Sequence, residues 1–276
     1  MKTCLIVDLG LIGYAEAYAL QKRIVAARKA DAIEDVLLLC EHPHVITQGR
    51  NGKREHLLVG EHVLRQKGVE FYETSRGGDI TYHGPGQIVG YPILNLSEIR
   101  RDVVWYVRML EEATIRATAE FGISARREPG RTGVWVEVAE GGSSLATRLP
   151  RAESRGHSFT PSGAEGPHAY PELRGATSEK LGAIGVHISR WVTSHGFAYN
   201  VSTDLRFFNL IVPCGIADRK ATSLEKLLGR AVDRTEVASR IGRHLGELFS
   251  RELKETSKEE LLKKIEFAEQ SVTVSA

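Results

Sequence analysis

The sequence predicts an α+β fold in which a mixed, mostly antiparallel sheet is flanked by helices. Apolar residues recur at helical spacing near the start, in the middle and at the end of the chain, at 14–30, 103–121, 233–251 and 257–270. Short apolar runs rich in β-branched or aromatic residues lie between them, at 5–10, 36–40, 45–50, 69–72, 88–94 and 133–138. Strands therefore dominate the middle of the chain, and helices flank them.

The elements of the first half follow from local patterns. The alanine-rich segment 14–30 has the spacing of an amphipathic helix. The run 36–40 is short and continuously apolar, which is typical of a buried strand. Residues 62–67 predict a short helical turn. The long segment 103–121 predicts a second main helix.

The second half of the chain predicts a hairpin and a further strand. The run 181–189, continued by 191–193, reads as a strand, and 196–201 reads as its hairpin partner. Residues 209–212 form an apolar strand that stops at Pro213.

The domain organisation is predicted from breaks in these patterns. Residues 139–178 lack an apolar period, and loops this long are functional or disordered. We expect one domain over 1–252, with a mobile insertion at 139–178, and a helical tail at 253–276. Glu259–Lys263 and Glu260–Lys264 are favourable i,i+4 pairs, so the tail is expected to be a solvated helix.

Composition excludes several classes of protein. The chain has 276 residues, 42% hydrophobic and 26% charged, which is ordinary for a soluble globular protein. A formal net charge of +2 gives no argument for nucleic acid or for a membrane surface. No apolar run approaches the length of a membrane span, and the first residues do not form a signal peptide. We expect a cytoplasmic protein, monomeric and with reduced cysteines.

Residues 76–87 are the most informative segment. They read Arg-Gly-Gly-Asp-Ile-Thr-Tyr-His-Gly-Pro-Gly-Gln and lead directly into the apolar run 88–94. A plain turn needs fewer glycine, proline and small polar residues than this segment contains. Glycines also let a backbone approach a ligand closely. The segment therefore predicts a loop that forms one wall of a binding site; the alternative is an elaborate hairpin connection.

One of the three cysteines has an unusual setting. Cys4 and Cys40 lie in predicted strands and are expected to be small buried hydrophobic residues. Cys214 stands between proline and glycine, at a tight turn that can present its sulfur to a cleft. Arg219 and Lys220 are close in sequence, and positive charge favours a thiolate. An inert thiol in a turn is the alternative.

Several segments in a fixed order resemble the octanoyltransferases of lipoate biosynthesis, also called lipoate-protein ligase B. The segments are 76–92, 133–136, 180–186, 195–201 and 212–216, together with Glu-His-Pro at 41–43 and Gly-Arg at 49–50. The resemblance covers residues 5–250, and the glycine-rich motif followed by Pro-Cys-Gly is specific as a combination.

The resemblance implies a biotin/lipoate protein ligase-like catalytic fold and an acyl-transfer reaction. The family moves octanoate from acyl carrier protein to a lysine of an apo lipoyl domain, in a 2-oxoacid dehydrogenase subunit or the glycine-cleavage H protein. It implies no cofactor. In this family pattern Cys214 takes the acyl group as a thioester, and Lys180 acts as its partner. Because an ordinary lysine has a pKa of about 10.4, a role as base requires burial or a nearby cation.

The resemblance also implies a set of pocket residues. The substrate-binding residues are expected to be Arg76, Gly77, Gly78, Asp79, Ile80, Thr81, Tyr82, His83, Ala183, Ile184, Gly185, Gly196, Phe197 and Ala198. Thr81, Tyr82 and His83 would form one wall, and the small residues of the last two segments would leave room for an acyl chain. Backbone N–H groups near Gly77 or Gly215 would stabilise the oxyanion.

The same residues argue against two other functions and against a metal site. ATP-dependent lipoate ligases carry an Asp after Tyr-His where this chain has Gly84, and they need no catalytic cysteine; a silent acyl- or carrier-binding paralogue has no use for the pair Cys214 and Lys180. His42 and His44 have no further partners that would complete a metal site, so no metal is predicted.

Overall fold

The computed structural model describes residues 1–139, 176–212 and 220–274. The strands of this part of the chain are β1 (Lys2–Leu11), β2 (Asp35–Glu41), β3 (Val45–Gln48), β4 (Glu70–Glu73), β5 (Ile80–His83), β6 (Gln87–Ile93), β7 (Ala125–Glu128), β8 (Arg131–Ala139), β9 (Ala176–Ser189), β10 (Val192–Asn200) and β11 (Arg251–Glu255). The α-helices are α1 (Tyr14–Lys29), α2 (Glu61–Gln66), α3 (Val103–Ala119), α4 (Leu224–Leu228), α5 (Arg234–Leu248) and α6 (Lys258–Val274).

The main sheet has eight strands within the described residues, in the order β11-β1-β2-β6-β10-β9-β8-β7. Its β11–β1 and β1–β2 pairs are parallel, and its other pairs are antiparallel. A smaller sheet has the order β4-β3-β5. The predicted mixed, mostly antiparallel sheet is therefore confirmed.

Helices cover both faces of the main sheet, and β2 shows why. Leu37 and Leu39 pack with α3 and α5 on one face, whereas Leu38 packs with α1 and α6 on the other. Because side chains alternate across a strand, a strand with both faces covered must be apolar at every position. This burial of both faces of β2 explains why the run at 36–40 is apolar at every position.

The segment predicted to be one glycine-rich loop contains a strand. β5 pairs antiparallel with β3, and Tyr82 lies opposite Ile46. Both of these side chains enter a small apolar core that the three-stranded sheet shares with Leu210 and Ile211. The glycines thus flank a strand, and the expectation of a continuous loop was wrong.

The predicted hairpin has its turn in a different place. The turn residues are Arg190 and Trp191, with φ of 50° and 63°, and β10 begins at Val192. Residues 192–193 therefore belong to the second strand of the hairpin. The predicted strand 209–212 is also absent from the described residues, because Leu205–Leu210 is a 3₁₀ helix.

The predicted insertion and tail need revision at their edges. β9 already begins at Ala176, so the insertion does not extend to 178; residues 140–175 lie outside the described residues. In α6, Leu261, Ile265 and Ala268 are buried in the core, so the expectation of a solvated helix was wrong. β11 spans the expected boundary at 252 and pairs with β1. None of the helices described here is long and apolar enough to cross a membrane.

Candidate active site

A cavity of about 390 Å³ lies between the start of α1, the small sheet and the strands β6, β8, β9 and β10. The predicted site residues that line it are Arg76, Gly78, Asp79, Ile80, Thr81, His83, Lys180, Ala183, Ile184, Gly185, Gly196, Phe197 and Ala198. We call it the acyl cavity, after the acyl chain that the family resemblance predicts for it. The two sheets thus bring together segments that are more than 100 residues apart in the sequence.

Two predicted site residues in the described part of the chain, Gly77 and Tyr82, are not among the lining residues. Tyr82 is fully buried on the opposite side of β5, where its hydroxyl contacts His44 Nδ1 at 2.7 Å. Alternation along the strand places Thr81 and His83 at the cavity and Tyr82 away from it. Gly77 donates its N–H to the Val186 carbonyl at 2.8 Å. Cys214 lies outside the described residues.

Lys180 lies where three chain segments meet. Its backbone pairs with Trp135 of β8 on one side and bridges to Ala221 on the other. The Lys180 N–H donates to the Lys220 carbonyl at 2.8 Å, and its carbonyl accepts from the Thr222 N–H at 2.9 Å. The Lys180 ammonium lies 5.1 Å from the centroid of the Trp135 ring.

Gly133 provides the space for the Lys180 side chain. Its φ is +126°, and a Cβ built on it would lie 2.6 Å from Lys180 Cε and 2.7 Å from the Gly182 carbonyl oxygen. The pairing of β8 with β9 shifts register between Val134 and Trp135. A side chain at position 133 is therefore incompatible with this position of the lysine stem.

Arg76 is a buried cation in the cavity wall. Its Nη2 donates to the Thr47 carbonyl at 2.6 Å and to Thr47 Oγ1 at 2.9 Å. Its Nη1 donates to the Gly77 carbonyl at 3.1 Å. A Cβ at Gly185 would lie 3.1 Å from Arg76 Cδ. Gly185 thus gives space to the arginine while it lines the cavity.

Hydrogen bonds fix the tautomer of His83. Gln87 Nε2 donates to the Tyr82 carbonyl at 3.2 Å and to Asn200 Oδ1 at 2.9 Å. Its Oε1 therefore faces His83 Nδ1 at 2.8 Å, which must carry the proton. Burial, reinforced by positive charge such as that of Arg76, lowers the pKa of His83 to about 3. His83 is thus a neutral ring at neutral pH, consistent with a hydrogen-bonding wall residue.

His195 is a second neutral histidine of the wall. It has a φ of 55°, its N–H donates to Gln21 Oε1 at 2.9 Å, and its Nε2 lies 3.2 Å from Ser75 Oγ. Burial and the Arg76 charge lower its pKa to about 3. His195 was not among the predicted site residues, although a histidine in an apolar hairpin strand indicates a candidate for a site residue.

Tyr14 and Tyr91 form the polar end of the wall near α1, and the His42 ring packs against both of them. His42 Nδ1 contacts the Ile12 carbonyl at 2.7 Å and so carries the proton, and its Nε2 accepts from the Tyr91 hydroxyl at 2.6 Å. Burial raises the pKa of Tyr14 to about 12. Tyr14 and Tyr91 line the cavity, and no local pattern predicted this, because their position depends on how α1 packs against the sheets.

The His42-Pro43-His44 segment does not gather metal ligands. His42 points to Tyr91, whereas His44 stacks on Phe207 with ring centroids 4.1 Å apart. In the described part of the chain, no three His, Cys, Asp or Glu side chains are grouped so that they could hold a metal ion.

The chemistry of the acyl cavity suits an apolar chain with an electron-rich end. Val89, Ile184 and Phe197 give it apolar walls, whereas Arg76 and Lys180 place positive charge at it. Apolar walls with a few placed polar groups are typical of small-ligand sites.

The fold is that of the lipoate protein ligase class. A solved bipartite lipoate protein ligase from Thermoplasma acidophilum has a TM-score of 0.63 to this chain at 15% identity, with 96% of this chain and 91% of that chain covered. At this identity the likeness concerns the fold, and it confirms the predicted lipoate ligase-like architecture.

Sequence comparison defines the family more closely. The model of the lipoyl protein ligase A/B catalytic domain matches residues 13–246. An octanoyltransferase of Solibacter usitatus is 45% identical over 92% of this chain and 96% of its own length. An octanoyltransferase of Acidobacterium capsulatum is 47% identical over 80% of this chain and 78% of its own length. The chain belongs to the octanoyltransferases of the lipoyl protein ligase A/B family and is an acyltransferase.

Proposed function

We propose that this enzyme transfers an octanoyl group from octanoyl-acyl carrier protein to a specific lysine of apo lipoyl domains, through a thioester on Cys214. The domain that does so is expected to be 1–252. The observation that carries the proposal is the position of Lys180. Lys180 lines the acyl cavity, and its N–H donates a hydrogen bond to the Lys220 carbonyl. Lys220 is the first described residue after the segment that contains Cys214.

In the first half-reaction, the Cys214 thiolate attacks the donor thioester, a new thioester forms, and the pantetheine thiolate leaves. The Lys180 ammonium favours the Cys214 thiolate by its charge and gives a proton to the leaving sulfur. The reaction exchanges one thioester for another and needs no ATP.

In the second half-reaction, the acceptor amine attacks the Cys214 thioester, an amide bond forms, and Cys214 leaves as the thiolate. The neutral Lys180 amine takes the proton that the acceptor nitrogen loses. Arg76 and backbone N–H groups stabilise the oxyanion that forms at the carbonyl, and a single such donor is typically worth about 3 kcal/mol.

Intact-mass measurement tests this proposal. The purified enzyme is incubated with octanoyl-acyl carrier protein without ATP, and its mass is recorded before and after apo lipoyl domain is added. We expect a gain of one octanoyl group that is absent in Cys214→Ala and is discharged onto the lipoyl domain. Lys180→Ala should keep the fold but lose most of the turnover.

Other outcomes would contradict the proposal in distinguishable ways. Octanoylation of the lipoyl domain only with ATP and free octanoate would indicate a ligase reaction. Equal adducts on wild type and Cys214→Ala would place the acyl group on another residue. The absence of any transfer would indicate a protein that only binds acyl groups or carriers.

A further inference from the structure

A second concavity of about 410 Å³ lies on the other side of the cavity wall, between α1 and the β9–β10 hairpin. We call it the basic cleft. Ser75 and Ser194 line the cleft, whereas their sequence neighbours Arg76 and His195 line the acyl cavity. The cleft is therefore separated from the acyl cavity by a wall that is one residue thick.

The side chains around the cleft carry positive charge. Lys22, Lys29, Arg190 and His187 line it, and none of its lining residues, all of which are described, is acidic. Burial and the charge of Arg190 lower the pKa of Lys29. Burial and the charges of Arg50 and Lys29 lower the pKa of His187. Lys29 and Arg190 therefore repel each other across the cleft, and an anion would relieve this repulsion.

Two buried polar groups at the cleft lack hydrogen-bond partners within the described residues. Gln21 is 1% exposed; its Oε1 accepts from the His195 N–H, but its Nε2 has no partner. Nδ1 of His187 is also buried without a partner. An unsatisfied buried donor costs about 1–3 kcal/mol. A ligand with several acceptor oxygens would satisfy these groups and the cations together.

We propose that the basic cleft binds a phosphate group. A phosphate group presents oxygens in tetrahedral directions, and this matches donors that come from α1 on one side and from the hairpin on the other. Lys29 is already oriented, since its Nζ donates to Ser189 Oγ at 3.0 Å. The phosphate belongs either to a pantetheine arm whose acyl end occupies the neighbouring cavity or to a separate phosphate ester. Only the first of these sources rests on the proposed function.

Titration with inorganic phosphate, followed by ³¹P NMR at constant ionic strength, tests the site. The wild-type enzyme should bind phosphate saturably. Gln21→Glu keeps the acceptor for His195 but replaces the amide donor by a carboxylate, and Lys29→Gln with Arg190→Gln removes two cations. Each variant should weaken binding by about tenfold or more. Circular dichroism and thermal melting verify that each variant is folded.

A charge-matched control is available. Arg101 and Arg230 are exposed and do not line the cleft, and Arg101→Gln with Arg230→Gln should leave phosphate binding unchanged. The proposal is overturned if wild type shows no saturable binding, or if the cleft variants and this control behave alike.

Two small donors distinguish the source of the phosphate. Wild type is assayed with octanoyl-pantetheine and with octanoyl-4′-phosphopantetheine. If wild type prefers the phosphorylated donor and the double variant Lys29→Gln with Arg190→Gln loses this preference, the cleft is assigned to the pantetheine arm. Equal use of both donors, with phosphate binding retained, assigns it to a separate phosphate ester. If the proposed acyl transfer itself fails, neither donor acylates the enzyme, while phosphate binding is still measurable.

Discussion

The backbone N–H of Gly133 donates a hydrogen bond of 2.9 Å to Oε1 of Glu111, a carboxylate that is fully buried. Oε2 of the same carboxylate accepts from Arg108 at 2.8 Å and from Arg127 at 3.1 Å. Glu111 thus ties the start of β8 to α3. Since Gly133 adjoins the stem of Lys180, this carboxylate helps to fix the position of the lysine.

Glu111→Gln should lower the free energy of unfolding by about 2–3 kcal/mol, because the substitution removes the buried negative charge between two guanidinium groups. Urea denaturation measures the change. The neighbouring Glu112 pairs with Arg116 and Arg127 but is partly exposed, so the control Glu112→Gln should cost no more than about 1 kcal/mol. Equal losses in the two variants would show that burial of the Glu111 carboxylate adds nothing to the strength of its ion pairs.

Gly133→Ala should lower the rate of octanoyl transfer by about 100-fold, since the new methyl group displaces Lys180 and a small misplacement of a catalytic group is costly. Single-turnover transfer to apo lipoyl domain measures the effect. Gly122→Ala is the matched control, because Gly122 also has a positive φ, of +80°, but has open space around its Cα. Equal rates in the two variants would contradict a need for this position of Lys180.

His83 should make the stability of the enzyme depend on pH. Its pKa is about 3 in the folded state and about 6.5 in an unfolded chain. Between these values the unfolded chain binds more protons, so the free energy of unfolding falls as the pH drops below about 6.5, by about 1.4 kcal/mol per pH unit from this residue. This stabilisation is fully present above pH 6.5.

Urea denaturation of wild type and His83→Gln at pH 6.0 and 5.0 tests this dependence. The variant should lose less stability between the two pH values, with a difference of about 1.4 kcal/mol. Identical changes in the two proteins would mean that His83 already carries a proton in the folded state or is exposed to solvent.

Local patterns predicted the elements whose residues bury a complete face. The run at 36–40 became β2, and the helical spacing at 103–121 became α3. By contrast, β7 reads Ala-Arg-Arg-Glu, and β5 is only four residues long and lies among glycines. β5 is held by pairing with β3, which lies far away in the sequence and outside any local window. β7 forms a hairpin with the adjacent β8, but its polar residues give no strand pattern of their own.

The residues of the acyl cavity also divide into those that the sequence predicted and those that depend on contacts between distant segments. Motif resemblance identified Arg76, His83 and Lys180, which the structure brings to one cavity. Tyr14 and His195 were missed because one reaches the cavity through the packing of α1, and the other through a strained backbone with a φ of 55°. Contacts between distant segments, rather than residue type, decide which side chains complete the wall.

Chain-length preference should depend on Ala183. This residue lies opposite Ala198 across the β9–β10 pair, and both line the acyl cavity. Ala183 is only partly buried, so a larger side chain can extend into the cavity without compressing the core. Ala183→Leu should therefore lower transfer of octanoyl relative to hexanoyl groups by about tenfold or more, because even one extra methylene in a hydrophobic pocket typically costs about tenfold or more and leucine adds three carbons.

Competition between hexanoyl, octanoyl and decanoyl donors, read as the masses of the acylated lipoyl domain, measures this preference. Ala183→Ser changes the side chain with little added volume and should keep the wild-type order of the three donors. A uniform loss of activity in Ala183→Leu, with the order unchanged, would indicate that the acyl chain does not reach this part of the cavity. A shift toward hexanoyl would locate the distal end of the chain beside β9.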